Sequence, residues 1–373
     1  MILIYLSVLL YILLIIWLLD GYKNLVDYYA PIKIIKSKFV SIVVAARNEG
    51  KNISALLECL NKQKYKKMFY EIIIVNDKSI DNSISLLYDL SDKYKNLSYL
   101  DIAATPENWA PKKWAIYNGI LQARGEIILQ TDADCYHNEN WVASMVNSFS
   151  DQSVGFVSSL TPLISKKDNL FNDLFLLDSL AQDLFSGYSI DKGLTLSCNA
   201  RSIAFRKEFF INIKGYKDIA HMISGDDDLL LHKIIYYIDC KAKFILSKDS
   251  TVYSMGPLNC NNFINQRLRY ASKGLFYFKN NFISKELKVI LPFLLIVNIV
   301  SCVIILRFCA SGSPGYLFLL LLKIIPDYFL LNPIYNLLGI SWNWISFTFL
   351  SILHPFYIVT FAIISPFNKY NWK

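Results

Sequence analysis

Residues 1–19, MILIYLSVLLYILLIIWLL, contain no charged side chain. They are about long enough to cross a hydrocarbon core of ~30 Å, and nothing that apolar can stay exposed to water. No basic stretch precedes them and no small-residue cleavage site follows. A retained anchor over residues 1–22 is therefore expected, not a removed signal. The far end of the chain repeats the pattern. Leu287–Leu306 and Ser346–Ile364 read as spans, the latter preceded by Trp342 and Trp344 as interfacial aromatics. Gly315–Leu338 is apolar but interrupted by Lys323, Pro326 and Asp327, so region 286–366 reads as two or three spans. Lys323 and Asp327 stand one helical turn apart, where opposite charges pair. The stretch 38–285 carries mixed charge like an ordinary globular domain, so the formal +8 says less than its distribution.

Lys23, Lys33, Lys36 and Lys38 follow the first apolar run and nothing basic precedes it. The positive-inside rule then places the N-terminus outside and the middle domain in the cytoplasm, in an integral protein of the plasma (inner) membrane. Three C-terminal spans would leave Lys369 and Lys373 outside; two would leave them inside. None of the seven cysteines forms a C-x-x-C pair, and free thiols are expected in a cytoplasmic domain.

The middle domain alternates apolar β-type runs with helix-periodic segments. Phe39–Ala46, Glu71–Val75, the weaker run Leu97–Ile102 and Glu126–Gln130 predict strands. The segments NISALLECLNKQ, ISLLYDLSDKY and KKWAIYNGILQARG predict helices, the last stopping at Gly125. That alternation implies an α/β fold with a mostly parallel sheet, whose ligands bind beyond the carboxyl ends of the strands. Asn48 and Glu49, then Asp77, then Asp132 and Asp134 fall at those ends. There is no G-x-G-x-x-G after the first strand and no P-loop, which argues against dinucleotide and ATPase sites. The two aspartates of QTDADC repel each other unless something positive sits between them. Hard carboxylate oxygens suit Mg²⁺ or Mn²⁺ shared with a substrate diphosphate, with Asp132 and Asp134 as the metal-side residues. His137 and His221 belong to no cluster of zinc spacing and are expected to be structural.

Several segments, in order, resemble the family 2 glycosyltransferases, membrane-anchored enzymes with a GT-A-type nucleotide-sugar domain. SIVVAARNEGKNISALLECL is similar to the opening strand and helix, with Ala45 at the usual proline. IIIVNDKSIDNS resembles the VDDxSxDxT element, GEIILQTDADC the strand entering the Asp-x-Asp motif, and SGDDDLLLHK the acidic pair that supplies the base. QRLRY resembles Q-x-x-R-W, with Tyr270 replacing tryptophan. The resemblance spans roughly Ser41 to Lys273.

It implies donor contacts from Glu49, Asp77 (to uracil), Lys113, Asp132, Asp134, Arg267 and Arg269. Lys112 and Lys113 both stand where the family has a lysine ahead of its helix. Asp227 would be the base and Asp226 its neighbour, with Asp228 pointing into the next helix. Attack by an acceptor hydroxyl needs a group to take its proton as the nucleoside diphosphate leaves. Gln266 and Tyr270 would face the acceptor. A basic segment such as RLRYASKG would also suit anionic headgroups of membrane lipids. The chain is thus identified as an inverting glycosyltransferase (hexosyltransferase type) acting on a lipid-linked or cell-envelope glycan acceptor. Few C-terminal spans argue against a long translocation channel, while Q-x-x-R keeps a processive polysaccharide synthase as the alternative. A non-catalytic nucleotide-sugar-binding scaffold is a further alternative, disfavoured by the intact Asp-x-Asp and base. A nucleic-acid partner is not expected.

Overall fold

The computed structural model describes residues 2–26, 38–165, 170–257 and 259–367. Lys33, Lys36, Lys369 and Lys373, and the side chain of Lys23, lie outside the described residues. In chain order the first elements are α1 (Ile2–Val26), β1 (Val40–Ala46), α2 (Ile53–Asn61), β2 (Tyr70–Asp77), α3 (Ser83–Lys93), β3 (Leu97–Ile102), α4 (Pro111–Gln122) and β4 (Ile127–Asp132). There follow β5 (Cys135–His137), α5 (Trp141–Asn147), β6 (Val154–Ser159), β7 (Leu163–Ile164), α6 (Leu170–Asp191), β8 (Ile203–Arg206), α7 (Lys207–Asn212), α8 (Asp228–Tyr237), β9 (Lys241–Ile245) and β10 (Val252–Met255). The last helices are α9 (Cys260–Ala271), α10 (Gly274–Lys279), α11 (Lys285–Ser311), α12 (Pro314–Leu338) and α13 (Trp344–Ile364).

These elements form two compact units, one of described residues within 38–162 and 197–255, the other of described residues within 2–26, 163–196 and 256–367. The first is built on a seven-stranded sheet of order β3-β2-β1-β4-β8-β6-β9. The pairs β1–β2, β2–β3, β1–β4 and β6–β9 are parallel, while β8 runs antiparallel to both β4 and β6. Every residue of β1 and β2 is buried, as continuous β-branched runs require when helices cover both faces. Leu56, Leu57 and Leu60 of α2 and Trp141, Met145 and Phe149 fill one core with Ile42, Val44 and Ile72. At about 1.5–3 kcal/mol per fully buried large apolar side chain, these residues are a main source of the unit's stability.

The expected helix stop at Gly125 has a different cause. α4 ends at Gln122 and Ala123 is already extended. Gly125 is needed because a Cβ there would lie 2.4 Å from the Ser41 backbone nitrogen. Gly119 likewise lets α4 approach the sheet, since a Cβ would meet Val43 at 2.6 Å and Val75 at 2.9 Å.

His137 on β5 is structural. Its Nε2 lies 2.9 Å from the Thr131 hydroxyl and its ring packs on Trp141 at 4.4 Å. Burial pushes its pKa down to about 3, well below the ordinary ~6.5 of the unfolded chain. Between those values the unfolded state binds a proton that the folded state refuses. This contribution to stability is therefore complete above about pH 6.5 and is lost as pH falls toward 3. The drop in thermal midpoint between neutral pH and pH 4 is expected to be smaller in His137→Gln than in the native chain. An equal drop would exclude His137 as a source of acid sensitivity.

The second unit is helical. Among the described residues, four helices are long and apolar enough to cross a membrane, covering Ile2–Tyr22, Lys285–Ser311, Pro314–Leu338 and Trp344–Phe367. Three lie in the C-terminal region, so the interrupted segment is a full-length helix. Val8 of α1 packs among Ile304, Ile305, Leu319 and Leu320. Within α12 the opposite charges are paired. Lys323 meets Asp327 at 2.6 Å, and the Tyr11 hydroxyl donates to Asp327. α6, which the sequence pattern left unassigned, belongs to this unit. Leu174, Leu177, Leu180 and Leu184 are buried along it.

Candidate active site

The sheet order brings the carboxyl ends of β2, β1 and β4 side by side, because Ala45 pairs with Val75 on one flank and Asp132 on the other. Two loops at these ends are stitched together. The Asn48 amide donates to Ser79 Oγ at 2.9 Å, the Ile80 amide to Asn48 Oδ1 at 2.9 Å, and the Gly50 amide to Asp81 Oδ2 at 3.0 Å. Asn48 (φ 56°) and Lys78 (φ 53°) take left-handed backbone conformations here, a cost that non-glycine residues bear mainly where the surroundings impose it. Glu49 is buried, its amide on Ser83 Oγ at 3.0 Å and its Oε2 accepting from Asn52 at 2.6 Å.

Asp77 ends β2 with its side chain wholly buried. Arg47 lies 3.7 Å from one oxygen and Lys78 3.4 Å from the other, yet neither oxygen accepts a hydrogen bond among the described residues. A buried carboxylate without donors is costly.

On the other side of β1, Asp132 is partly exposed at the end of β4, and Asp134 is partly exposed just beyond it. The positive group beside the first aspartate is Lys112. Its Nζ lies 2.8 Å from Asp132 Oδ1 and 2.8 Å from Asp226 Oδ2. Burial works against the ammonium, but the two carboxylates outweigh it and hold the Lys112 pKa above its ordinary value. Gln130 reaches the same Asp226 oxygen at 3.3 Å, and the Tyr216 hydroxyl donates to the Asp226 carbonyl at 3.0 Å. Burial, then the neighbouring Asp226 and Asp227, raise the Tyr216 pKa well above normal, so it stays a neutral donor.

The neighbouring Lys113, expected to contact the donor, holds backbone carbonyls. Its fully buried Nζ donates to the Ile219 and Ser224 carbonyls at 2.9 and 2.8 Å. It pins the loop that carries Asp226 and Asp227, and Lys112 takes the place beside the carboxylates. Successive helix residues point about 100° apart, so only one of two adjacent lysines can reach a given spot. The sequence alone could not say which.

Asp227 is partly exposed and caps the N-terminus of α8, its Oδ1 accepting the Asp228 amide at 2.7 Å and its Oδ2 the Ala200 amide at 3.0 Å. Asp228 is buried as the first residue of α8. The run of three aspartates is thus one carboxylate held by Lys112, one cap and one buried helix residue.

Gln266, Arg267, Arg269 and Tyr270 belong to α9, in the helical unit. Arg267 is not a free phosphate clamp. Its buried guanidinium is ion-paired with Asp178 of α6 and lies over the Phe263 and Tyr270 rings at 5.0 and 5.6 Å. Arg269 and Gln266 are partly exposed. Nothing local in the sequence marks Asp178 as the buried partner.

No group of three or more His, Cys, Asp or Glu side chains among the described residues is arranged to hold a metal by itself. Asp132 and Asp134 nonetheless offer the hard oxygens that Mg²⁺ and Mn²⁺ prefer. These ions often take only one or two carboxylates and complete their shell from substrate phosphates and water. The donor set fits a cation that arrives with a diphosphate.

Residues 41–212 match the sequence model of the family described as Glycosyl transferase family 2. That stretch resembles a family 2 glycosyltransferase domain. A 4,4'-diaponeurosporenoate glycosyltransferase of Staphylococcus haemolyticus is 26% identical over 191 residues, covering 50% of this chain and 49% of that protein. A beta-monoglucosyldiacylglycerol synthase of a Nostoc species is 31% identical over 133 residues, covering 36% of this chain and 28% of its own length. The chain thus spans about half the length, or less, of these two relatives. A mannosyltransferase from Pyrobaculum calidifontis, solved with GDP-Man and Mn²⁺, superposes with a TM-score of 0.63 at 17% identity, over 98% of this chain and 95% of that one. At that identity the likeness concerns the fold, which is GT-A with a mostly parallel sheet.

Proposed function

We propose that this protein is an integral-membrane inverting glycosyltransferase that moves a sugar from a nucleotide-sugar, most consistent with a UDP-sugar, to a lipid-linked or envelope glycan acceptor. The observation that carries it is the buried, donor-less Asp77 carboxylate beside the Asp132 strand end, within the stretch that matches family 2. Asp77 would accept the N–H of the base, and Glu49 would border the nucleotide. Asp132 and Asp134 would hold Mg²⁺ or Mn²⁺, which when bound supplies charge neutralisation of the leaving diphosphate. Lys112 would balance phosphate charge, and Arg269 would reach the diphosphate as a guanidinium fork. Asp227 would take the proton from the acceptor hydroxyl as the bond to the anomeric carbon forms and the diphosphate departs.

Four spanning helices favour an acceptor kept at the membrane, and one relative is named for a diacylglycerol lipid. With the N-terminus outside, the catalytic domain lies in the cytoplasm, and α11, α12 and α13 carry the C-terminal end outward. The Q-x-x-R-Y segment on α9 supports processive synthesis as a second reading.

The test is nucleoside diphosphate release by detergent-purified protein, given a panel of UDP- and GDP-sugars with Mg²⁺ or Mn²⁺ and a lipid extract as acceptor. Release specific for one sugar and abolished by chelation is the expected result. Failure to bind any nucleotide would overturn the proposal.

A further inference from the structure

Lys112 occupies an unusual position for a residue whose partners are expected to bind a cation. Its ammonium makes equal 2.8 Å contacts with Asp132 on β4 and Asp226 before α8, joining two segments far apart in sequence. It is buried, so water cannot screen it, and Pro111 at the first turn of α4 fixes its backbone. Asp226 is held again by Gln130, and Lys113 ties down the loop beneath it, so Asp226 cannot easily swing away. Asp132 is the more accessible partner, being partly exposed at a strand end.

We propose that Lys112 is a resident counter-cation that competes with the divalent ion for Asp132, so that metal enters only together with the diphosphate of the donor. This deepens the nucleotide-sugar proposal above and rests on it. The physical reason is charge. A divalent ion placed against Asp132 meets an ammonium already bonded to that carboxylate, and like charges in a partly dry site repel strongly. A diphosphate reverses the balance, because its oxygens give both the metal and the lysine a new anionic partner. Lys112 then exchanges Asp132 for phosphate while keeping Asp226. Metal binding is thereby coupled to nucleotide binding, and by linkage each must tighten the other by the same factor. The donor-free site stays neutralised and closed to cations that have no work to do there.

The experiment uses the full chain in detergent and reads Mn²⁺ binding directly, by electron paramagnetic resonance of free Mn²⁺, with Mn²⁺ alone and with saturating UDP or GDP. The native protein is expected to bind Mn²⁺ alone weakly and at least a hundredfold more tightly with the matching nucleotide. Lys112→Met, which keeps the aliphatic stem and removes the charge, is expected to bind Mn²⁺ alone at least tenfold more tightly. Its coupling to nucleotide should shrink. Lys112→Arg, which keeps the charge, is expected to retain most of the native coupling and controls for loss of folding. Native-like weak Mn²⁺ binding by Lys112→Met that still takes up nucleotide with native coupling would overturn the competition. Tight Mn²⁺ binding by the native protein without nucleotide would overturn it as well. Absence of any nucleotide binding by the native protein would instead bring down the donor assignment, and this inference with it.

Discussion

Asp227→Asn is expected to lower turnover by about 10²–10⁴-fold, the usual contribution of a positioned general base, while nucleotide affinity stays within a factor of ~2. That loss corresponds to roughly 3–5 kcal/mol in the barrier. The substitution removes the charge while keeping the cap of α8, although the amide NH2 can no longer accept from the Ala200 amide. Asparagine is as good a helix N-cap as aspartate, so the Asp228 amide at the start of α8 keeps an acceptor. What disappears is the charge and the lone pair that would receive the hydroxyl proton. Steady-state rates with the donor that the release assay selects, together with UDP or GDP titration, make the measurement. A turnover within about threefold of native would remove Asp227 from the base role and leave Asp226 as the next carboxylate to test. That choice is physically poorer, since Asp226 is already shared between Lys112 and Gln130.

The second large effect concerns stability. Asp178 is buried and accepts from Arg267, from the Tyr357 hydroxyl and from Gln182 at 2.9 Å. These contacts join α6, α9 and α13 at one point. Arg267→Met is expected to destabilise the protein by about 3–5 kcal/mol, the usual cost of leaving one member of a buried ion pair uncompensated. Burial disfavours the guanidinium, but the Asp178 charge outweighs it and raises the arginine's pKa. Removing either half leaves the other buried without its partner. The double variant Asp178→Leu with Arg267→Met should recover most of the loss, because matched apolar groups replace a buried pair at little cost. Thermal unfolding in detergent of the two single variants and the double gives the interaction energy. Strictly additive effects would mean that the pair does not hold the three helices together.

Much of the domain was legible because its signals are local. The strand runs sit on both-face-buried strands of a parallel sheet, and such strands need continuous apolar residues whatever surrounds them. Lys323 and Asp327 are four apart on one helix, and a spacing of one turn is enough to predict their meeting. The strand-end positions of Glu49, Asp77 and Asp132 follow from the same alternation of elements. Misassigned or missed were the features set by what lies across space. Gly125 resembles a helix stop but exists to clear a neighbouring strand. Arg267 sits in a motif that suits phosphate, yet a carboxylate 89 residues earlier in the chain holds it.

What the sequence by itself determined is therefore the architecture: long apolar helices before and after an α/β domain, and carboxylates gathered at one edge of its sheet. Hydrophobic length and periodicity are properties of consecutive residues, and solvent acts on them the same way in any fold. Only the tertiary structure decided which charges are spent on each other. Lys112 and Lys113 are adjacent and chemically identical. One bridges Asp132 and Asp226, while the other is buried on the Ile219 and Ser224 carbonyls. The difference is a rotation of about 100° around a helix, and it acquires meaning only once β4 and the loop before α8 have been folded against that helix.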